Sequence, residues 1–122
     1  MTKCLLIASL IAFATTAHAD PSGDAARGKA VYQTVCSACH SLEYNGIGPA
    51  HQHVFGARAG TQPNYTYSPA LAASGVTWIE KNLDRWLTQP EAMVPGQKMG
   101  ISVPSAQDRA DVIAYLKSLP TR

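Results

Sequence analysis

Cys36 and Cys39 stand three residues apart, and His40 follows at once. Two thiols at that spacing can each form a thioether to one vinyl group of the same porphyrin, and the next residue then projects its imidazole at the iron. Cys-x-x-Cys-His is the pattern of covalent attachment of a c-type haem. Cys36 and Cys39 are therefore candidate cofactor-binding residues, and His40 is a candidate iron ligand. A ligating imidazole usually donates its other ring N–H to a second acceptor, and a backbone carbonyl in the loop near Pro49 suits that role. The cofactor would carry the chemistry, with the protein setting its potential and access.

The far side of the iron takes a second ligand or stands open. The candidates are Met93, Met99, His51 and His53. A helical methionine is more often core filler. Met99 follows Pro95-Gly96 in a stretch too broken for regular structure, where backbone can bring a thioether to a metal, and this context favours it over Met93. His51 and His53 follow His40 too closely for the opposite face and read as solvated loop histidines. Tyr65, Tyr67, Trp78 and Trp86 form a dense aromatic set that reads in part as core. Their polar tips need partners when buried, and haem propionates are suitable acceptors.

Other chemistries fit less well. An open iron would mean an enzyme or gas sensor, but helical haem proteins of that kind usually carry the attachment motif near the C-terminus, and here it comes early. In a haem-free exported chain the Cys pair would be a disulfide. A thioredoxin-like motif would need strands around Cys36. A zinc site needs about four ligands, and no second Cys pair exists.

The 122 residues allow one small domain. Lys3, the apolar run Leu5 to Ala14 and Ala17-His18-Ala19 read as a secretory signal peptide over residues 1–19, leaving a mature domain of residues 20–122 and a periplasmic location. The apolar run is shorter than the roughly 20 residues a bilayer requires. Cys4 leaves with the leader. Loss of Lys3 takes the formal charge from +2 to +1, no footprint for nucleic acid or for an anionic membrane surface. So small a domain buries limited apolar surface, so a porphyrin would supply much of its core, and the apo form is expected to fold poorly.

The chain reads as all-α, helices joined by long Gly/Pro loops without strand alternation. A first helix starts near Ser22 to Asp24 and runs to about Val35, burying Gly28, Val31, Tyr32 and Val35. Gly28 in mid-helix costs about 1 kcal/mol relative to Ala, which close contact with another helix would offset. Residues 45–63 read as loop. Ser68, Pro69 and Gly75 mark a short helix over 68–74. Thr77-Trp78-Ile79-Glu80 is a capping-box pattern, with Ile79, Leu83, Trp86 and Leu87 as an apolar stripe and Pro90 as the stop. A last helix starts at Ser105-Ala106-Gln107-Asp108, buries Val112, Tyr115, Leu116 and Leu119, and ends before Pro120.

In this order the motifs resemble class I cytochromes c, nearest the mitochondrial-type and bacterial short monohaem forms. The resemblance runs over nearly all of the mature chain: Gly28 with Tyr32, Cys36 to His40, Gly48-Pro49, Phe55-Gly56, Tyr65-Thr66-Tyr67, Gly75 to Trp78, Pro95-Gly96-Gln97-Lys98-Met99 and Ala114 to Lys117. It implies helices and long loops wrapped around one covalent haem c, with the first and last helices crossing at Gly28 and Tyr115. It implies His40 and Met99 as axial ligands, the Pro49 carbonyl as acceptor for the His40 ring, and Tyr67 and Trp78 as propionate donors. It implies a monomeric single-electron carrier, not an enzyme, passing electrons between redox proteins such as a periplasmic dehydrogenase or membrane complex and an oxidase or other reductase. The chain departs from the pattern at three places. His51 stands where a leucine is common, Arg58 is displaced by one residue from the usual position after Phe-Gly, and Trp86 replaces a commoner tyrosine near the ligand methionine.

Overall fold

A computed structural model describes residues 21–121 of the chain; the leader reading and its cleavage site lie outside the described residues. Five α-helices follow in order: α1 (Ala25–Val31), α2 (Pro69–Ala73), α3 (Glu80–Thr88), α4 (Pro90–Met93) and α5 (Ala106–Ser118). Among the described residues there is no strand, only one isolated antiparallel bridge between Arg58 and Thr77. None of these helices is long and apolar enough to cross a membrane.

Asp24 caps α1 by accepting the Arg27 amide. The helix does not continue to Val35 in regular form. It widens into a π-helical turn over Tyr32–Cys36, where the Ser37 amide bonds the Tyr32 carbonyl five residues back. Such turns are rare and are frequent at functional sites. Val35, within this turn, is 37% exposed and lines the central cavity instead of completing the buried Gly28 and Tyr32 face. Residues 45–63 carry no helix, as expected.

α1 packs across α5 at Gly28. A Cβ there would overlap the Asp111 carbonyl oxygen and come within 2.9 Å of the Tyr115 Cβ, so the crossing requires glycine. The same turn of α5 buries the Asp111 carboxylate, 2% exposed. That carboxylate accepts from the Asp24 amide at 2.7 Å, from Arg27 at 2.9 and 3.1 Å, and from Gln107 at 2.9 Å.

α2 and α5 start where their caps predict: Ser68 accepts the Leu71 amide, and Ser105 accepts the Asp108 amide. α3 does not. The capping box at Thr77 is absent, and the helix begins at Glu80 with no side-chain cap. Residues 76–78 are engaged elsewhere, since Val76 and Trp78 exchange backbone hydrogen bonds with Gly56, Ala57 and Ala59. Ile79 is consequently 46% exposed and leaves the apolar stripe, while Leu83, Trp86 and Leu87 are buried. These three join Tyr32, Trp78, Val103, Val112, Ile113 and Leu116 in one core.

Two outcomes follow from the crossing. Gly28→Ala is expected to lose about 1–3 kcal/mol of stability through overpacking, read as an earlier midpoint in denaturant unfolding. The Arg27 guanidinium, with the Asp24 and Gln107 N–H groups, holds the Asp111 carboxyl down at about 2. A depressed folded value stabilises fully above the unfolded carboxyl range and is lost as pH falls through the folded one. Thermal stability should therefore drop between about pH 4 and pH 2, and the drop should be shallower in Asp111→Asn.

Candidate functional site

The π-helical turn delivers Cys36 at its end, and a tight turn follows in which Cys39 and His40 both direct their amides at the Cys36 carbonyl, at 3.1 and 3.0 Å. Both cysteines are free, half-buried thiols facing one cavity of about 440 Å³, within the roughly 300–1,000 Å³ usual for cofactor sites. Burial pushes the Cys36 thiol up to about 11. A thiol-exchange motif needs the opposite shift.

His40 lines the same cavity. Its Nδ1 lies 2.8 Å from the Pro49 carbonyl oxygen. A carbonyl only accepts, so Nδ1 carries the proton and Nε2 keeps its lone pair. Burial lowers the His40 pKa, and the Pro49 bond opposes this in part. The backbone at Gly48 comes so close that a Cβ there would overlap the His40 ring. Gly48-Pro49 is thus a cradle for the imidazole, and its glycine is required by contact.

Across the chain, Met99 reaches the cavity from the loop after α4. Glu91 anchors that loop by accepting from the Gly96 amide at 2.9 Å and from the Gln97 side chain at 3.1 Å, and Lys98 donates to the Thr66 carbonyl at 2.8 Å. Met93 lies at the end of α4, partly buried against the core and outside the cavity lining.

Tyr67, Trp78 and Trp86 also line the cavity. The indole rings of Trp78 and Trp86 are buried and tilted at 60°, with centroids 5.3 Å apart. The Tyr67 hydroxyl accepts from the Gln62 amide at 3.3 Å, and Tyr65 donates to the Ile47 carbonyl at 2.8 Å. Arg58 lines the cavity despite its displacement in sequence.

His51 and His53 differ from the solvated residues expected. The His53 Nδ1–H donates to the Pro120 carbonyl at 2.8 Å, tying the loop to the chain end. His51 is packed face to face on His40, centroids 3.8 Å apart. Burial, with His40 as the lesser cause, pushes its pKa down to about 3. A sequence signal for this existed. His51 stands two residues after the carbonyl that holds His40, so the loop that reaches one side of the ring brings its next side chains to the ring as well.

Residues 25–120 match the family model described as cytochrome c. The chain belongs to the cytochrome c family. It is 38% identical over 118 residues to the cytochrome c2 of Rhodomicrobium vannielii, covering 93% of this chain and 92% of that protein. Cytochrome c2 iso-2 of Magnetospirillum fulvum is 46% identical over 90 residues, covering 70% and 92% respectively. Among solved structures, cytochrome cH from Methylobacterium extorquens superposes with a TM-score of 0.75 at 43% identity, over 79% of this chain and 99% of that one. The family's cofactor is one covalently attached haem c, and its members carry electrons between redox partners. The chain fits that group: two thiols face the cavity, His40 has a free Nε2 lone pair, and Gly48 leaves room for the ring.

Gly48→Ala is expected to push the His40 ring out of its cradle. Covalent haem per mole of protein, read as the pyridine haemochrome, should fall.

Proposed function

We propose that the chain is a periplasmic single-electron carrier whose haem c is bound through thioethers to Cys36 and Cys39 and held axially by His40 and Met99. The reading rests on one observation: these four residues, drawn from two loops about 60 positions apart, line the same cavity. Residues 1–19 act as an export signal, and residues 20–122 form the mature protein.

When bound, haem supplies a ferric–ferrous couple, and a neutral thioether opposite histidine raises its potential. The chain's residues do the rest. Pro49 fixes the His40 tautomer so that Nε2 keeps the lone pair that would bind the metal. Glu91 and Lys98 hold the loop that presents Met99. The apolar wall of Trp78, Leu83, Trp86, Leu87 and Val112 excludes water, which disfavours the more highly charged ferric state. Tyr67 and Trp78 serve the propionates. With His40 and Met99 both holding it, a bound haem would offer no open site to a substrate, and the chemistry it would supply is electron exchange in brief encounters with redox proteins. The carrier is a monomer of near-neutral charge. No helix among the described residues is long and apolar enough to cross a membrane, and the charge offers no footprint for nucleic acid.

Met99→Ala is the direct test. The weak far-red sulfur–iron band of the oxidised protein should vanish, and the potential should fall by on the order of 0.1 V or more, a fraction of the roughly 0.8 V that axial ligation spans. Met93→Ala should leave both unchanged. The reverse result would move the ligand to Met93. Carbon monoxide binding by the reduced wild type at an open iron would overturn the carrier reading.

A further inference from the structure

The ring of His40 is held at one atom by a hydrogen bond and across one face by another ring. Its Nδ1–H reaches the Pro49 carbonyl at 2.8 Å. A single hydrogen bond leaves the imidazole free to turn about the donor–acceptor line. The Gly48 backbone closes on the ring from one side, and His51 restricts that turning from a face, because its ring lies nearly parallel, at 21° and a centroid distance of 3.8 Å. His51 is itself oriented from the π-helical turn that follows α1. The Tyr32 hydroxyl lies 3.3 Å from its Nδ1, and the Tyr32 ring meets it edge-on at 5.8 Å and 64°. Tyr32 is buried and packs on Tyr115 of α5 at 5.4 Å. A continuous series of ring contacts thus runs from α5 through Tyr115, Tyr32 and His51 to His40, tilted or edge-on except for the final stacked pair. An aliphatic side chain at position 51 would fill comparable volume but present no plane and no partner for the Tyr32 hydroxyl.

We propose that His51 is a positioning residue for the axial imidazole: stacked on His40 and oriented by Tyr32, it fixes the plane of the His40 ring. This rests on His40 being the iron ligand. It adds a device that the attachment motif alone does not contain, a second imidazole that acts through the first and never meets the metal. The orientation of an axial imidazole plane is read directly in the g-values of a low-spin ferric haem and in the paramagnetically shifted resonances of the ring protons. Neither readout depends on electron-transfer activity, and a change in fold stability alone does not move them.

The test uses the purified ferric holoprotein. A low-spin wild-type spectrum with the far-red band is the starting point; a high-spin wild type would overturn the ligation reading and this proposal together. His51→Leu should displace and broaden the g-values and shift the His40 ring-proton resonances, with the far-red band kept. His51→Phe, which retains a plane without the nitrogen, should lie closer to wild type than His51→Leu. Tyr32→Phe should shift the same signals in the same direction and less. Wild-type g-values in His51→Leu overturn the proposal while leaving the ligation reading intact, as does an equal displacement in His51→Phe and His51→Leu. If His51→Leu yields no holoprotein, Tyr32→Phe decides, and unchanged g-values there overturn the proposal.

Discussion

Backbone meets backbone where α1 crosses α5. With no side chain at Gly28, the helix lies against the Asp111 carbonyl, and nothing bulkier than hydrogen fits between them. This contact sets where the end of α1 falls. Everything chemical in the first half of the chain hangs from that end: the π-helical turn, Cys36, the tight turn to Cys39 and His40. The buried Asp111 carboxylate fixes the angle of the same crossing from α5, by binding the cap of α1 and the Arg27 side chain at once. A buried charge left unpaired would be strongly unfavourable; here four N–H donors surround it. The crossing is thus specified twice, once by shape and once by charge.

The cavity and the core are largely one set of residues. Trp78, Leu83, Trp86, Leu87, Val103, Val112 and Leu116 are buried in the core and also line the cavity. In a domain this small, apolar burial without a cofactor is limited. A haem in that space would extend the core through the middle of the fold. The helices are short: only α3 and α5 exceed eight residues. Isolated helices below about 12–15 residues are marginal in water. Cofactor burial and helix formation are therefore coupled, which is the physical basis for expecting a poorly folded apo form.

Local chemistry was legible in the sequence wherever a short stretch decides the outcome. Cys-x-x-Cys-His, the Ser68 and Ser105 caps and the loop character around Met99 depend on neighbours within a few residues, and each reads directly. Contacts set by distant chain did not. Thr77 has a good capping pattern, yet the 56–59 loop takes the backbone groups around it, and α3 starts three residues later. The π-helical turn leaves no composition signal, so Val35 was expected on the buried face. Asp111 reads as an ordinary polar position on α5 until Arg27 and Gln107 are seen to close over it. His51 was taken for a solvated residue because its ring partners, His40 and Tyr32, lie 11 and 19 residues away.

The two sides of the cavity are held by unequal means. On the His40 side the ring is fixed by a part-buried hydrogen bond to Pro49, by the backbone at Gly48 and by the face of His51. Those contacts connect through Tyr32 to the α1–α5 crossing, so loosening them means disturbing the core. On the Met99 side the loop is pinned at its two ends by the buried Val94 and Val103, the latter through its amide to the Leu87 carbonyl, and between them its side-chain anchors are the solvent-exposed Glu91 and Lys98 hydrogen bonds. Within that loop the Gln97 Oε1 is buried and has no hydrogen-bond partner among the described residues. Exposed polar contacts contribute little net stability, and an unpaired buried oxygen subtracts from it. Local opening follows such differences, beginning where few buried contacts and many exposed hydrogen bonds coincide. Between its buried ends, the Met99 segment is therefore tied by exposed polar contacts, whereas the His40 ring is held by part-buried ones, although the cavity they share belongs to one core.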